Sequence, residues 1–371
     1  MTSSKPTLKP WIAQLAPYKP GVAAAADGRA LVKLSANENP LGTSPAALAA
    51  LNEARTEAAI YPDPDARALR AAIGEVHALE PERIAVGTGS GEVLHCAVQA
   101  FAGLGDEVLA SRYSFSLYPL IARKVGAEPI LTPDAEYHAS VDALLAGLSE
   151  RTRVVLLDNP NNPTGTWISA AEVRRLHAGL PPHVLLVLDE AYGEYLPEGE
   201  QRTGFALAAK HENVLVTRTF SKAYGLAAER IGWAYGAPGL IDAINRLRGA
   251  FNVTLSGQRA AIAALGDQDF VRVSAEHNAR VRGRFAGALA ALGNHGIRVV
   301  PSEANFVLVE FAGSLGASEA LRGIEAAGYA VRHLPGQGLP DHLRITIGHE
   351  ADMDMIAQTI GALAKAHEAA G

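Results

Sequence analysis

The sequence predicts an α/β protein with a largely parallel central sheet, because short apolar runs alternate with longer amphipathic stretches. Proline, asparagine and glycine follow several of these runs, which places loops where the strands end. In sheets of this kind, function collects at the carboxyl ends of the strands. The predicted strands span 84–86, 107–110, 154–157, 184–188, 214–218 and 231–235, and the helices between them include 92–101, 117–125 and 170–180.

The last third of the chain predicts a second, α+β unit. A long helical stretch at 269–292 precedes several short strands, and a final helix is expected at 352–366. The short strands are predicted at 297–300, 305–311, 330–334 and 343–347. A chain of 371 residues is long enough for two domains, at roughly 100–200 residues per domain, and needs no disulfide or metal to stabilise its core.

Composition and charge argue against several classes of protein. A total of 33 Lys and Arg against 39 Asp and Glu gives a net charge of -6, which speaks against general binding to nucleic acid or to anionic membranes. Cys96 is the single cysteine, so neither a disulfide framework nor a cysteine-based zinc site is expected. The chain has no apolar run of about 18 residues, and its first residues include prolines and lysines where a signal peptide needs an apolar region. We expect a cytoplasmic enzyme or binding protein.

A glycine-rich turn follows the strand at 84–86. Gly87, Gly89 and Gly91 allow the backbone to approach an anion closely, and the free N–H groups of a helix that begins at Glu92 attract phosphate. A dinucleotide-binding turn does not fit, because the glycine spacing differs and Asp106 precedes the next strand instead of ending it. A phosphate site and a plain tight turn remain equally open at this point.

The segment LLDNPNNPTGT, residues 156–166, carries a buried strand into a polar turn. Two prolines flank the paired Asn161 and Asn162. Turn chemistry alone favours an ordinary Pro/Asn turn. The alternative is that the prolines hold an amide donor rigidly over a ligand.

Another apolar strand, at 184–188, runs directly into Asp189 and Glu190, with Tyr192 shortly after them. A carboxylate at the end of a central strand is costly to bury unless it is paired, so Asp189 suggests a cationic partner such as a metal, an arginine or a protonated ring nitrogen. Capping of the next helix is the alternative.

The predicted strand at 214–218 is followed by Thr219, Ser221 and Lys222, and Arg230 lies eight residues after Lys222. A lysine in a dry cleft has its pKa lowered by desolvation and can act as a Schiff-base nucleophile. Thr219 and Ser221, two residues apart, can point the same way and form a phosphate clamp with Arg230. A solvated lysine is the ordinary alternative for this segment alone.

Taken together, these strand ends provide what pyridoxal phosphate requires. The cofactor needs a lysine for an imine, an acid for its ring nitrogen and a clamp for its phosphate. At this point the sequence resembles the fold-type I pyridoxal-phosphate aminotransferases and, within them, the histidinol-phosphate aminotransferase group. The motifs that carry the resemblance span nearly the whole chain: LAPYKPG (15–21), LSANENPLG (34–42), YPDPDARALRAAI (61–73), the glycine-rich turn, NPNNPTG (159–165), DEAY (189–192), TFSKAYGL (219–226) and LRITIG (343–348).

The resemblance implies a large domain, 46–262, with a mainly parallel seven-stranded sheet between helices. It also implies a small α+β domain built from both chain ends, 1–45 and 263–371. The implied catalytic residues are Lys222, Asp189 and Tyr192. The implied contacts of the cofactor are Gly89, Ser90, Gly91, Phe115, Asn162, Asp189, Tyr192, Thr219, Ser221, Lys222, Arg230 and Tyr61. The implied contacts of the substrate are Tyr18, Asn162, Arg332 and Arg344.

The activity implied by the resemblance is the conversion of imidazole-acetol phosphate and glutamate to histidinol phosphate and 2-oxoglutarate. Tyr61 resembles a tyrosine that reaches the cofactor phosphate of the neighbouring subunit, which implies a homodimer. The alternatives are an aromatic amino-acid aminotransferase, an enzyme that serves both substrates, and a pyridoxal-phosphate decarboxylase of a phosphorylated amino acid. A regulator that uses this fold to bind an effector is the alternative from another class, and the lack of a basic stretch counts against it.

Overall fold

The computed structural model describes residues 6–15 and 28–370. In chain order its strands are β1 Val32–Lys33, β2 Ile84–Gly87, β3 Glu107–Ser111, β4 Glu128–Thr132, β5 Thr152–Asp158, β6 Leu185–Asp189, β7 Val214–Thr219, β8 Gly232–Gly236, β9 Ile297–Val300, β10 Phe306–Phe311, β11 Tyr329–Ala330, β12 Arg332–Leu334 and β13 Leu339–Thr346. The helices are α1 Pro10–Ala13, α2 Pro45–Ala54, α3 Arg67–His77, α4 Ser90–Phe101, α5 Leu117–Val125, α6 Val141–Ala146, α7 Ala170–Gly179, α8 Thr203–Ala208, α9 Pro238–Leu247, α10 Leu255–Gly266, α11 Gln268–Ala290, α12 Ala317–Ala326 and α13 Glu350–Ala370.

A large sheet organises the middle of the chain. Within the described ranges seven strands form it, in the order β2-β8-β7-β6-β5-β3-β4, and all neighbours run parallel except β8, which is antiparallel to β2 and to β7. The central strands are buried on both faces, because helices cover the sheet on each side. Along β5 the alternation is visible: Val154 and Leu156 pack into one apolar cluster, Val155 and Leu157 into the other. This arrangement confirms the predicted α/β class with a mainly parallel sheet.

Local sequence signals determine where several helices begin. At the start of α2, the Ser44 side chain accepts a hydrogen bond from the backbone N–H of Ala47, and Pro45 occupies the first helical position, where its missing N–H costs nothing. Thr254 caps α10 in the same way. Loss of such a cap costs about 1 kcal/mol of stability. Among the described residues, no helix combines the length and the apolar character needed to span a membrane.

A small antiparallel sheet lies in the last third of the chain. Its order is β12-β13-β10-β9, and it packs against α11, α12 and α13 through an apolar cluster that includes Val307, Ile345 and Ile356. Residues near the N-terminus join this unit, because β1 pairs in parallel with β11, with Val32 opposite Tyr329. The division of the chain at residues 46 and 262 stays a prediction.

Three differences from the predicted elements have physical reasons. The strand β4 was not predicted, because its sequence EPILT contains a proline and it lies at the sheet edge, where most of its residues are partly exposed. The predicted strand at 330–334 is split at Val331, since β11 pairs with β1 while β12 pairs with β13. The helix after the glycine-rich turn begins at Ser90 and not at Glu92. The N–H groups of Ser90 and Gly91 therefore belong to the first helical turn, which no intrahelical carbonyl satisfies.

Candidate active site

Polar side chains from the ends of β5, β6 and β7 meet at one edge of the large sheet. They line a cavity of about 370 Å³ that also receives the start of α4 and residues of the small sheet. Of the residues predicted from sequence, the cavity is lined by Ser90, Gly91, Phe115, Asn162, Asp189, Tyr192, Thr219, Ser221, Lys222, Arg230, Arg332 and Arg344.

Lys222 lies just after β7, and its amine is inside the cavity. The Nζ atom donates a hydrogen bond to the backbone carbonyl of Ala36 at 3.0 Å and lies 5.7 Å from the centre of the Tyr192 ring. Burial, together with the positive charge of Arg344, lowers the pKa of Lys222 to about 7. A substantial fraction of the amine is therefore neutral, and nucleophilic, near neutral pH.

Asp189 ends β6 and is buried, with only 3% of its surface exposed. The hydroxyls of Tyr118 and Thr217 each donate a hydrogen bond to its carboxylate at 3.0 Å. Burial raises the pKa of Asp189 more than these two hydrogen bonds lower it, and the net result is a pKa of about 6. The carboxylate is thus mostly ionised at neutral pH, and it would be stabilised by a cationic ligand in the cavity.

The Tyr192 hydroxyl lies between two side-chain amides. Asn37 donates to its oxygen from Nδ2 at 2.9 Å, and Asn162 donates from Nδ2 at 3.4 Å. The Oδ1 atom of Asn162 accepts a hydrogen bond from Nη1 of Arg344 at 2.5 Å, and Nη2 of Arg344 donates to the backbone carbonyl of Ser35 at 2.7 Å. Burial raises the pKa of Tyr192 to about 12, so the phenol keeps its proton.

An anion cradle forms where β7, the start of α4 and Arg230 meet. The Thr219 hydroxyl donates to Ser221 Oγ at 3.0 Å, and Nη1 of Arg230 lies 3.5 Å from the same oxygen. Gly89 precedes α4 at a φ of +76°, and a Cβ atom there would lie 2.7 Å from Nη2 of Arg230. We use the name anion cradle for Gly89, Ser90, Gly91, Thr219, Ser221 and Arg230. Two hydroxyls, a guanidinium and the N–H groups of a helix N-terminus suit a phosphate.

The remaining predicted residues lie in different places. Phe115 lines the cavity and contacts Tyr118 edge to face, with 5.8 Å between the ring centres. Tyr61 lies in a separate surface groove, 78% exposed, where its ring stacks on Phe251 with centres 4.6 Å apart. Tyr18 lies outside the described residues.

Several residues in or beside the cavity had no predicted role. Asp158 ends β5 directly beside Asp189, because the two strands are in register, and burial raises its pKa well above the usual range. Asn37 belongs to the LSANENPLG motif, which indicated the family but gave no role to any one side chain. Tyr118 looks like an ordinary core aromatic in the sequence, since only the packing of α5 brings it to Asp189.

The chain is similar to known proteins over nearly its whole length. Residues 29–360 match the aminotransferase class I and II family. A histidinol-phosphate aminotransferase of Erythrobacter litoralis is 62% identical over 99% of this chain and 100% of its own, and one of Zymomonas mobilis is 56% identical over 98% and 99%. The crystal structure of histidinol-phosphate aminotransferase from Sinorhizobium meliloti in complex with pyridoxal-5′-phosphate is 30% identical over 99% of this chain and 100% of that one, with a TM-score of 0.88. The chain belongs to the aminotransferase class I and II family.

Proposed function

We propose that this chain is a histidinol-phosphate aminotransferase. It transfers an amino group from L-glutamate to imidazole-acetol phosphate and forms L-histidinol phosphate and 2-oxoglutarate, a reaction of histidine biosynthesis. The observation that carries the proposal is that Lys222, Asp189 and all residues of the anion cradle except Gly89 line one cavity. Relatives that are 62% and 56% identical over almost the entire chain are histidinol-phosphate aminotransferases.

The cofactor is pyridoxal 5′-phosphate, and the donor set of the cavity fits its polar groups. The anion cradle supplies donors for the phosphate, Lys222 an amine for the aldehyde, and Asp189 a carboxylate for the ring nitrogen. The absence of a side chain at Gly89 keeps open the space beside Arg230. When bound, the cofactor withdraws electrons from the substrate carbon that carries the amino group.

Two side chains manage protons in this cavity. Asp189, ionised at neutral pH, would keep the ring nitrogen of the bound cofactor protonated through an ion pair in a dry environment. Lys222 has a pKa of about 7, so its Nζ could accept the proton from the substrate carbon and deliver it to the bound cofactor within one turnover. The placement of Nζ beside the backbone of Ala36 holds the amine at the cavity wall.

Cationic side chains explain how both substrates fit one site. Arg332 and Arg344 stand opposite each other on β12 and β13, and both line the cavity. A guanidinium binds carboxylates and phosphates with the same two-pronged geometry. The site can therefore accept the carboxylate of glutamate and the phosphate of histidinol phosphate in turn.

A substrate panel on the wild type and on Arg332→Gln tests this assignment. We expect kcat/KM for histidinol phosphate to exceed that for phenylalanine or tyrosine by at least about tenfold, with 2-oxoglutarate as acceptor. In Arg332→Gln, kcat/KM for histidinol phosphate should fall about 10- to 100-fold, because a charge-assisted hydrogen bond contributes about 1.5–3 kcal/mol. The value for glutamate should change about threefold at most, since Arg344 remains.

The matched control is Arg298→Gln. Arg298 lies on β9 of the same small sheet, where it pairs with Glu310 outside the cavity, so its loss should leave both rates unchanged. Equal kcat/KM values for histidinol phosphate and phenylalanine in the wild type would make the histidine assignment wrong. Equal losses for both substrates in Arg332→Gln would show that Arg332 is no phosphate-selective contact.

We also propose that the protein is a homodimer. Ile60 and Tyr61 are 63% and 78% exposed, and together with Phe251 they line a surface groove of about 880 Å³. Large apolar side chains gathered at a surface mark a protein interface. The family resemblance gives Tyr61 a role at the cofactor phosphate of the neighbouring subunit. A cytoplasmic location stays a prediction of the sequence.

Sedimentation velocity tests the dimer. The mass of the wild type from sedimentation should be twice the chain mass of 38.9 kDa. Ile60→Asp should shift the protein from dimer toward monomer and raise the dissociation constant for the cofactor. Leu104→Asp is the control, because Leu104 is similarly exposed, at 69%, but lies outside the groove. A monomeric wild type at micromolar concentration, or equal effects of the two variants, would contradict the proposal.

A further inference from the structure

Asn37 is held to the small sheet by its backbone. Its N–H donates to Oγ1 of Thr346, which ends β13, and its carbonyl accepts a hydrogen bond from Asn305, which directly precedes β10; both distances are 3.0 Å. The residue has a φ of 58°, a left-handed conformation that asparagine adopts more readily than most residues. Only 1% of its surface is exposed. The side chain therefore has one location, set by two strands of the small sheet.

The orientation of the Asn37 amide follows from its partners. Thr346 has a single hydroxyl hydrogen, and its Oγ1 already accepts the Asn37 N–H, so at 3.0 Å it donates to Oδ1 of Asn37. The reverse orientation would turn the NH2 group toward this hydroxyl and deprive its hydrogen of an acceptor. The Nδ2 atom of Asn37 must then face Tyr192, to which it donates at 2.9 Å.

This orientation decides what the Tyr192 hydroxyl can do. A phenol oxygen has one hydrogen and can accept two hydrogen bonds. Both acceptor directions are taken by amide donors, from Asn37 at 2.9 Å and from Asn162 at 3.4 Å. The hydroxyl hydrogen therefore takes part in neither of these two hydrogen bonds. Because Tyr192 lines the cavity, this hydrogen is available to an acceptor there.

We propose that Asn37 is a positioning residue that makes the Tyr192 hydroxyl donate its hydrogen bond into the cavity, toward the phenolic oxygen of the bound cofactor. The inference rests on the proposed function, because it assigns the acceptor to that cofactor. Thr346 acts one step further out, since its hydroxyl orients the Asn37 amide.

A double-mutant cycle between Asn37 and Tyr192 tests the proposal. Asn37→Ala removes the donor, and Asn37→Asp keeps the shape but offers the phenol a carboxylate acceptor, so that the Tyr192 hydrogen turns away from the cavity. Each should lower kcat/KM about tenfold, the loss expected from a hydrogen bond of about 1.4 kcal/mol. In a Tyr192→Phe background the same changes at Asn37 should cost no more than about twofold, because the hydroxyl they position is gone.

A spectroscopic titration supplies a readout apart from activity. A hydrogen bond to the anionic oxygen of the cofactor stabilises that anion, so its loss shifts the pH midpoint of the bound cofactor's absorbance. Asn37→Ala and Asn37→Asp should shift the midpoint in the same direction as Tyr192→Phe. Asn39→Ala is the matched control and should not shift it, because the Asn39 amide contacts Ala223 and Ser274 and not Tyr192.

The outcomes separate the inference from the proposed function. The positioning role would be overturned if the Asn37 variants lowered kcat/KM by the same factor with and without Tyr192→Phe. It would also be overturned if neither Asn37 variant shifted the absorbance midpoint. Either result would leave the proposed aminotransferase function standing. A wild type that binds no cofactor would instead refute the proposed function. If the Asn37 variants do not fold, Thr346→Val decides the question: a midpoint shift that disappears in the Tyr192→Phe background supports the role, and an unchanged midpoint rejects it.

Discussion

Lys222→Ala should lower the rate of amino transfer by at least about 10⁴-fold. In the proposed roles of Lys222, the variant loses both the amine that would hold the cofactor and the base that would move the substrate proton. Loss of a group with a nucleophilic or acid–base role costs this much in other enzymes. The pKa of Lys222, near 7, is what makes one side chain suitable for both tasks. Single-turnover kinetics with added cofactor and glutamate would measure the loss.

Absorbance and chemical rescue sharpen this experiment. The purified wild type should show a near-violet band that borohydride abolishes, and Lys222→Ala should lack it. Small primary amines should restore part of the rate if the missing function is that of a base at Nζ. Lys210→Ala, which changes a surface lysine, should keep both band and rate. A wild type that stays colourless with added cofactor, or an alanine variant that retains the band, would contradict the role of Lys222.

The sequence predicted well those site residues that stand at or just after the end of an apolar run. Asp189 and Thr219 end two strands and Lys222 follows one of them, and parallel strands bring their carboxyl ends to one edge of a sheet. Their presence in one cavity follows from the strand order, although the sequence does not state that order. Their roles toward the cofactor came from the family resemblance and stay predictions.

Residues that depend on register or tertiary packing could not be predicted. Asp158 stands among turn-forming residues, and its place beside Asp189 requires the exact alignment of β5 with β6. Asn37 reaches Tyr192 across 155 residues of chain, through contacts with a sheet that forms from the other end of the sequence. No local pattern carries information over such a separation.

The pair Asp189 and Glu190 shows why two adjacent carboxylates have different environments. Asp189 lines the cavity, whereas Glu190 pairs with the buried Arg218 at 2.7 Å, and Arg218 also pairs with Glu194 at 3.1 Å. The dipeptide DE alone does not separate the two residues; Asp189 is singled out by its place directly after the apolar run and by the family resemblance. The difference is made by Arg218, which lies elsewhere in the chain and forms a structural ion pair with Glu190, whereas the Asp189 carboxylate faces the cavity.

Asp189→Asn should lower kcat by about 10²- to 10³-fold, a loss typical for removal of one preorganised charge in a dry site. If Asp189 has the proposed role, the amide would not keep the ring nitrogen protonated, and the cofactor would be a weaker electron acceptor. Absorbance should show that the cofactor still binds, because Lys222 and the anion cradle remain. The band and the slow rate together would place the defect in the chemistry and not in binding.

Stability of the cofactor-free protein provides the control, because the same carboxylate is costly to bury. Folding raises the pKa of this carboxyl from 3.8 to about 6, so the group stabilises the folded protein fully at a pH below 3.8. That contribution is lost as the pH rises from 3.8 through about 6. The loss is on the order of 3 kcal/mol. Asp189→Asn lacks this titration, so the difference in Tm between variant and wild type should move in favour of the variant over that pH range.

Both readouts must agree for the assigned role to hold. A variant with full kcat would show that the charge of Asp189 is not needed for the reaction. A variant that is slow but equally destabilised at every pH would indicate a packing defect, since Tyr118 and Thr217 each donate to this side chain. Asp189→Glu keeps the charge and displaces it by one methylene. If charge is the decisive property, its kcat should be higher than that of Asp189→Asn. If the shape of the side chain is decisive, its kcat should be lower than that of Asp189→Asn.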